Sequence, residues 1–140
     1  MTNEILFDFE DGNGPVSAHR HPNGTGWIAD TATVAETVYV GPNARVSGSA
    51  RVSGSAYVSG SARVFGFARV SGSAYVSGSA RVFGFAHVSG SAHVFGFASV
   101  SGSASVYGSA RVSGSAHVSG SARVFGFAAL FEGEITQGGI

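Results

Sequence analysis

The sequence predicts an all-β chain folded as a parallel β-solenoid, and three observations carry that expectation. One six-residue phrase repeats almost without interruption: Ala-Arg-Val-Ser-Gly-Ser starts at Ala44 and again at Ala50, with Ala-Tyr-Val-Ser-Gly-Ser from Ala56 and Ala-Arg-Val-Phe-Gly-Phe from Ala62. Val recurs at every sixth residue from Val46 to Val124, and the register runs back through Val40, Val34 and Ile28 and forward to Leu130, giving eighteen aliphatic positions. Gly keeps a fixed offset from that aliphatic residue, which separates the chain from a disordered or silk-like Gly/Ser segment. A strict period of this kind marks a solenoid, and a six-residue period marks a parallel β-helix.

The phrase explains its own conformation. In Ala-Arg-Val-Ser, period-two alternation sends Ala and Val inward and Arg and Ser outward. The next Gly and Ser turn the corner, since Gly tolerates backbone angles closed to other residues. Residues 1–26 depart from the phrase and are expected to cap the first coil. Ile5, Phe7 and Phe9 alternate with Leu6, Asp8 and Glu10, the pattern of a half-covered strand, and Asp11-Gly12-Asn13-Gly14-Pro15 and Pro22-Asn23-Gly24-Thr25-Gly26 are turn chemistry. The solenoid is expected over 27–131, entered at Trp27-Ile28. Residues 132–140 are expected to form a C-terminal cap or tail, because Glu134 falls at an inward position where an ionised carboxylate is costly.

At 140 residues the chain is one domain or one short solenoid. It has no Cys, which excludes disulfides and thiolate metal sites. The start, Met1-Thr2-Asn3-Glu4, lacks the basic and apolar regions of a signal peptide, and no apolar run is long enough to span a bilayer. A cytoplasmic or virion-associated location away from membranes is the expectation. The net charge of zero conceals a segregation: the eight acidic residues lie near the two ends, and seven of the eight Arg, from Arg45 to Arg123, lie in a repeat with no acid and no Lys. Such a cationic rod is either kept soluble by its Arg side chains or faces an anionic partner.

Val40-Gly41-Pro42-Asn43-Ala44-Arg45-Val46 resembles the hexapeptide repeat of left-handed parallel β-helix proteins, over about three-quarters of the chain. The Val-Ser-Gly-Ser-Ala wording and the entry His19-Arg20-His21-Pro22-Asn23-Gly24 look most like uncharacterised bacterial and bacteriophage repeat-only members. The resemblance implies a single-stranded left-handed triangular coil of three phrases, hence about six coils. In this chain Ser takes the turn position where the family often has Asn, which implies strain if that residue is left-handed.

With three phrases per coil, residues eighteen apart stack. One face then carries Trp27, Arg45, Arg63, Arg81, Ser99 and His117 before the aliphatic column. Phe65 stacks on Phe83 after that column, and Phe67 on Phe85 around the same corner. The second face carries Arg51, Arg69, His87, Ser105 and Arg123, with Tyr107 against Phe125. The third carries Tyr57, Tyr75, His93 and Arg111, with Phe95 and Phe131 separated by Ser113. Val and Ala fill the interior, so every Phe of the repeat points outward. The expected interaction surface comprises Phe65, Phe67, Phe83, Phe85, Phe95, Phe97, Tyr107, Phe125 and Phe127, with Arg45, Arg63 and Arg81. Apolar stripes of this kind mark association sites, and Arg beside Phe permits cation–π packing.

The functional expectation is a non-enzymatic structural or interaction module: a rigid rod that forms a homo-oligomer, trimeric or larger, or binds another protein. The family's acyltransferases, which use His and coenzyme A between subunits, supply the enzymatic alternative. His87, His93 and His117 occupy a position that elsewhere holds Arg, Tyr or Ser, and the repeat lacks the protruding loop of those enzymes, so no catalytic or cofactor-binding residue is assigned. Nor is a metal ligand assigned, although His19 and His21 would point the same way in an extended strand. A third reading is a binder of an anionic or aromatic ligand, or of a host protein. Nucleic acid suits the Arg columns, but seven Arg over three faces concentrate in no single groove. The flanks lack the flat Thr arrays of ice-binding solenoids.

Overall fold

The computed structural model describes residues 5–10 and 14–140. The described residues are all-β: short strands stack in parallel into three sheets that enclose one continuous core, a solenoid of about six turns. The chain opens with β1 (Leu6–Asp8) and β2 (Pro15–Arg20), and the first coil comprises β3 (Trp27–Ala29), β4 (Thr33–Val34) and β5 (Tyr39–Val40). Each later phrase supplies one two-residue strand, from β6 (Arg45–Val46) to β19 (Arg123–Val124), and β20 (Ala129–Leu130) and β21 (Glu134–Ile135) follow. Register pairs Arg45 with Arg63 and Arg63 with Arg81, so a coil is eighteen residues.

The core is the aliphatic column of each face together with the Ala one residue before each strand. Val46 to Val124 and Ala44 to Ala122 are fully buried or nearly so at every repeat position. Burying each Val contributes about 1.5–3 kcal/mol. The rod is equally held by its ladders, as in Ser47 N donating to Val64 O at 2.9 Å and Ser53 N to Val70 O at 2.9 Å. Each such bond adds about 1 kcal/mol net.

Every repeat corner turns on its Gly, with φ between +59° and +69° from Gly48 to Gly126. The turn closes where the following Ala N–H meets the carbonyl before Gly, as in Ala62 to Ser59 at 3.2 Å. The residue after Gly keeps a negative φ: outside Gly, only Glu10 and Thr25 are positive among the described residues. This is the pattern of a type II′ turn. The expected strain at Ser is therefore absent, because the left-handed angle falls one residue earlier, on Gly. Glycine is demanded a second time by the stack. A Cβ at Gly54 would lie 2.7 Å from Gly72 O.

The first coil turns its corners differently, over Asp30-Thr31, Glu36-Thr37 and Pro42-Asn43, with no positive φ at any of them. Proline presets the first central position of such turns. Below them, the Thr31 and Thr37 hydroxyls donate to Gly48 O and Gly54 O. One coil lower a backbone donor fills that role, Ser49 N to Gly66 O at 2.8 Å.

The N-terminal segment does more than lie across the first coil. β2 pairs antiparallel with β3, and β1 with β2, extending the first face to nine strands. Because Ile28 points into the rod, Trp27 and Ala29 point out, and the arm covers them. Phe9, Ala18 and Ala29 form a second buried cluster, packed by Phe7, Val16 and Trp27. Phe7 stacks on Trp27 at 4.5 Å and meets Phe9 edge-on at 4.8 Å. Over the third face, Gly26 N donates to Val40 O at 2.9 Å and Val40 N to Asn23 O at 3.0 Å.

At the other end, the expectation that Glu134 points inward is corrected. The step from Leu130 to Ile135 is five residues, so the register shifts by one and Glu134 comes out exposed beneath His117, with Ile135 beneath Val118. The first face thereby gains a seventh level, and Arg123 N donates to Gly138 O at 2.8 Å to begin one beneath the second face. The expected turn segment at 11–13 lies outside the described residues.

Candidate functional site

Where the first face turns into the second, the fold assembles one continuous aromatic and cationic corner. Phe65 and Phe83 follow the aliphatic column of the first face and stack with parallel planes at 4.9 Å. Phe67 and Phe85 sit just around the turn, stacked at 5.2 Å. The pairs stack because identical residues recur at one coil's rise, roughly 4.8 Å. Phe65 and Phe83 are half-buried, whereas Phe67 and Phe85 are 57% and 61% exposed.

Arg columns flank this ridge on both sides: Arg45, Arg63 and Arg81 on the first face, Arg51 and Arg69 with His87 on the second. The seven repeat Arg span all three faces, with Arg111 on the third, and five of them stand in the columns that flank this ridge. Two grooves run beside the ridge. One, of about 380 Å³, is bounded by Phe9, Glu10, Arg45, Arg63, Phe65 and Arg81. The other, of about 450 Å³, is bounded by Ser49, Arg51, Phe67, Arg69, Phe85 and His87.

Among the described residues the column is neutralised at one level only. Arg45 Nη1 donates to Glu10 Oε1 at 3.2 Å, and its guanidinium lies 5.1 Å from the centre of the Phe7 ring. Ion pairs among the described residues are this one and His19–Asp30, so Arg63, Arg81, Arg51 and Arg69 face one another without a carboxylate among those residues. Like charges directly opposite in a sheet destabilise it.

The other expected residues lie elsewhere. Phe95 and Phe97 occupy the corner between the third and first faces, with Ser above and below in register. Tyr107 stacks on Phe125 at 5.4 Å at the corner between the second and third faces, and Phe127 beside it is 93% exposed. Sequence reasoning left Arg51, Arg69 and His87 out of the surface, although one phrase after Arg45, Arg63 and Arg81 places them across the same turn. It also missed Phe9 and Glu10, whose position depends on the fold of the arm. On the third face, Tyr57 meets Tyr39 at a tilt at 5.5 Å and stacks on Tyr75 at 4.8 Å, and Tyr75 packs on His93 at 4.8 Å.

The His residues do not converge. His117, His87 and His93 lie on the first, second and third faces. His19 and His21, expected on one side of an extended strand, are separated. His19 Nδ1 is exposed and meets Asp30 Oδ1 at 2.7 Å. His21 is buried, with Nε2 2.7 Å from Val38 O. A carbonyl only accepts, so that nitrogen carries the proton. Among the described residues no group of three His, Cys, Asp or Glu is placed to hold a metal ion, and no helix is long and apolar enough to cross a membrane.

Fold and surface together define a β-solenoid whose eighteen-residue coils are consistent with a hexapeptide-repeat β-helix. No protein-family model matches the chain, and no curated protein or solved structure matches it significantly.

Proposed function

We propose that this chain is a non-enzymatic interaction module, a rigid solenoid rod that makes protein contacts through the corner between its first and second faces. The observation that carries this reading is the four-Phe ridge set between two Arg columns. Interface cores are enriched in aromatic residues and Arg and depleted in acids, and the described part of this corner has that composition apart from Glu10 at its upper margin. The rod also presents the surface without needing to order itself, which lowers the entropic cost of association. Its Arg side chains stand on two-residue strands and its Phe side chains on turn residues whose amides join the same ladders, as in Phe65 N to Val82 O at 3.0 Å and Phe67 N to Gly84 O at 2.8 Å.

The bacterial or bacteriophage setting and the left-handed coil rest on the resemblance described above. A homo-oligomer is the simplest assembly this corner supports. The test is absolute mass by light scattering over a dilution series, for the native chain and for a variant carrying Phe65→Ser, Phe67→Ser, Phe83→Ser and Phe85→Ser. Ser occupies these positions in other coils, so the fold tolerates the change. Concentration-dependent association abolished by the four serines supports the reading. Association that survives them places the contact elsewhere on the rod.

A further inference from the structure

Resting on that reading, we infer that the groove of the first face takes a peptide segment that presents an acidic side chain beside an aromatic one. The molecule already displays the chemistry at the top of the same column. There the arm sets Glu10 and Phe7 against Arg45, in an ion pair at 3.2 Å and a cation–π contact at 5.1 Å, with Glu10 presented from a bend. The levels immediately below repeat the receiving Arg, with Arg63 and Arg81 beside Phe65, and no described residue of the arm forms an ion pair with them. Phe9 and Glu10 line the groove together with Arg63, Phe65 and Arg81, so the paired level and the levels below it share one surface. Its volume of about 380 Å³ falls in the usual range for ligand pockets, roughly 300–1,000 Å³.

Two features favour a peptide over a single-stranded nucleic acid. Bases bind aromatic side chains face to face. Here Phe65 and Phe83 lie parallel at 4.9 Å and turn one face each toward the other. Both rings are half-buried between the levels of Ser47 and Ser101, and Ser47 is itself buried. Ring edges carry the positive part of the quadrupole and meet carboxylates or other ring faces. The second feature is the partner this column already holds, the Glu10 carboxylate on Arg45, and Arg63 and Arg81 carry the same guanidinium fork.

The experiment is fluorescence anisotropy with a labelled peptide of residues 5–10, Ile-Leu-Phe-Asp-Phe-Glu, titrated with the intact chain at low and high salt. The expected result is saturable binding that weakens about ten-fold or more when the peptide's acids become Asn and Gln. An equal loss is expected on Arg63→Ser with Arg81→Ser in the protein, together with weakening at high salt. Ser stands at the Arg position in Ser99 and Ser105, so this variant keeps the fold, which circular dichroism checks. Phe127→Ser, remote from the groove, is expected to leave binding unchanged. Absence of binding, binding indifferent to the two Arg, or equal or tighter binding of oligothymidylate overturns the inference. If the peptide fails while the four serines still abolish association, the corner remains a contact surface for other chemistry. If both fail, the corner is not a contact surface.

Discussion

Replacing a corner glycine with alanine separates two demands that the repeat places on the same residue. At Gly54 φ is +68°, and an added Cβ would stand 2.7 Å from Gly72 O and 3.0 Å from Gly72 N. At Gly126, in the last full coil, φ is +63° but nothing lies within 4 Å of the added carbon. The angle alone costs of order 1–3 kcal/mol for a residue with a side chain, and Gly126→Ala is expected to cost only that. Gly54→Ala adds a collision. Carbon–oxygen contacts rarely come closer than about 3.3 Å, so Gly72 O must retreat by roughly 0.6 Å. That oxygen accepts Ser55 N at 2.9 Å. The retreat stretches the bond to about 3.5 Å, beyond the normal range, and forfeits a contribution of about 0.5–1.5 kcal/mol. Gly54→Ala is therefore expected to cost about 1.5–4.5 kcal/mol in all. Urea unfolding gives the global change, and hydrogen exchange at the Ser55 amide gives the local one. An equal or larger cost for Gly126→Ala refutes the argument that coil-to-coil approach, beyond φ, requires glycine.

Two further perturbations probe the arm and the Arg columns. Phe9→Ala removes the centre of the outer cluster and is expected to destabilise the arm by about 3 kcal/mol. The Ala18 and Asp30 amides, bonded to Ile5 O and Ser17 O, then exchange about a hundred-fold faster while Ser71 in mid-rod is unchanged. Equal acceleration at Ser71 contradicts the separation of the two cores. Arg63→Ser relieves repulsion from Arg45 and Arg81 and is expected to stabilise the rod by about 0.2–0.5 kcal/mol at low salt, an advantage that fades at high salt by thermal denaturation. A net loss at low salt shows that the Arg stem's packing outweighs its charge.

The solenoid was legible because its period is a direct image of its geometry: Val at every sixth residue and Gly two positions later dictate strand, turn and core. What the phrase left open sits where the phrase breaks. Glu134 was misplaced because deleting one residue between Leu130 and Ile135 shifts the register, and a shift of one exchanges inside for outside. The arm's path over Trp27 and Ala29 was hidden because it depends on contacts between Phe7, Phe9 and Trp27 far apart in sequence. The corner was half legible: stacking distances named the Phe pairs, whereas the convergence of two Arg columns required seeing two faces as the sides of one edge.

The eighteen-residue coil has a consequence for how such a chain can lengthen. Copying a single phrase of six residues keeps every Val inside, yet it rotates all later decoration by one side of the prism. An Arg column then breaks partway down and resumes on a neighbouring side, and the Phe ladder divides with it. Copying three phrases adds one storey and leaves every ladder intact. Growth by thirds scrambles the surface while preserving the interior, and growth by whole storeys extends both. The same coding slip can thus generate a new surface or a taller version of the old one, depending only on its length.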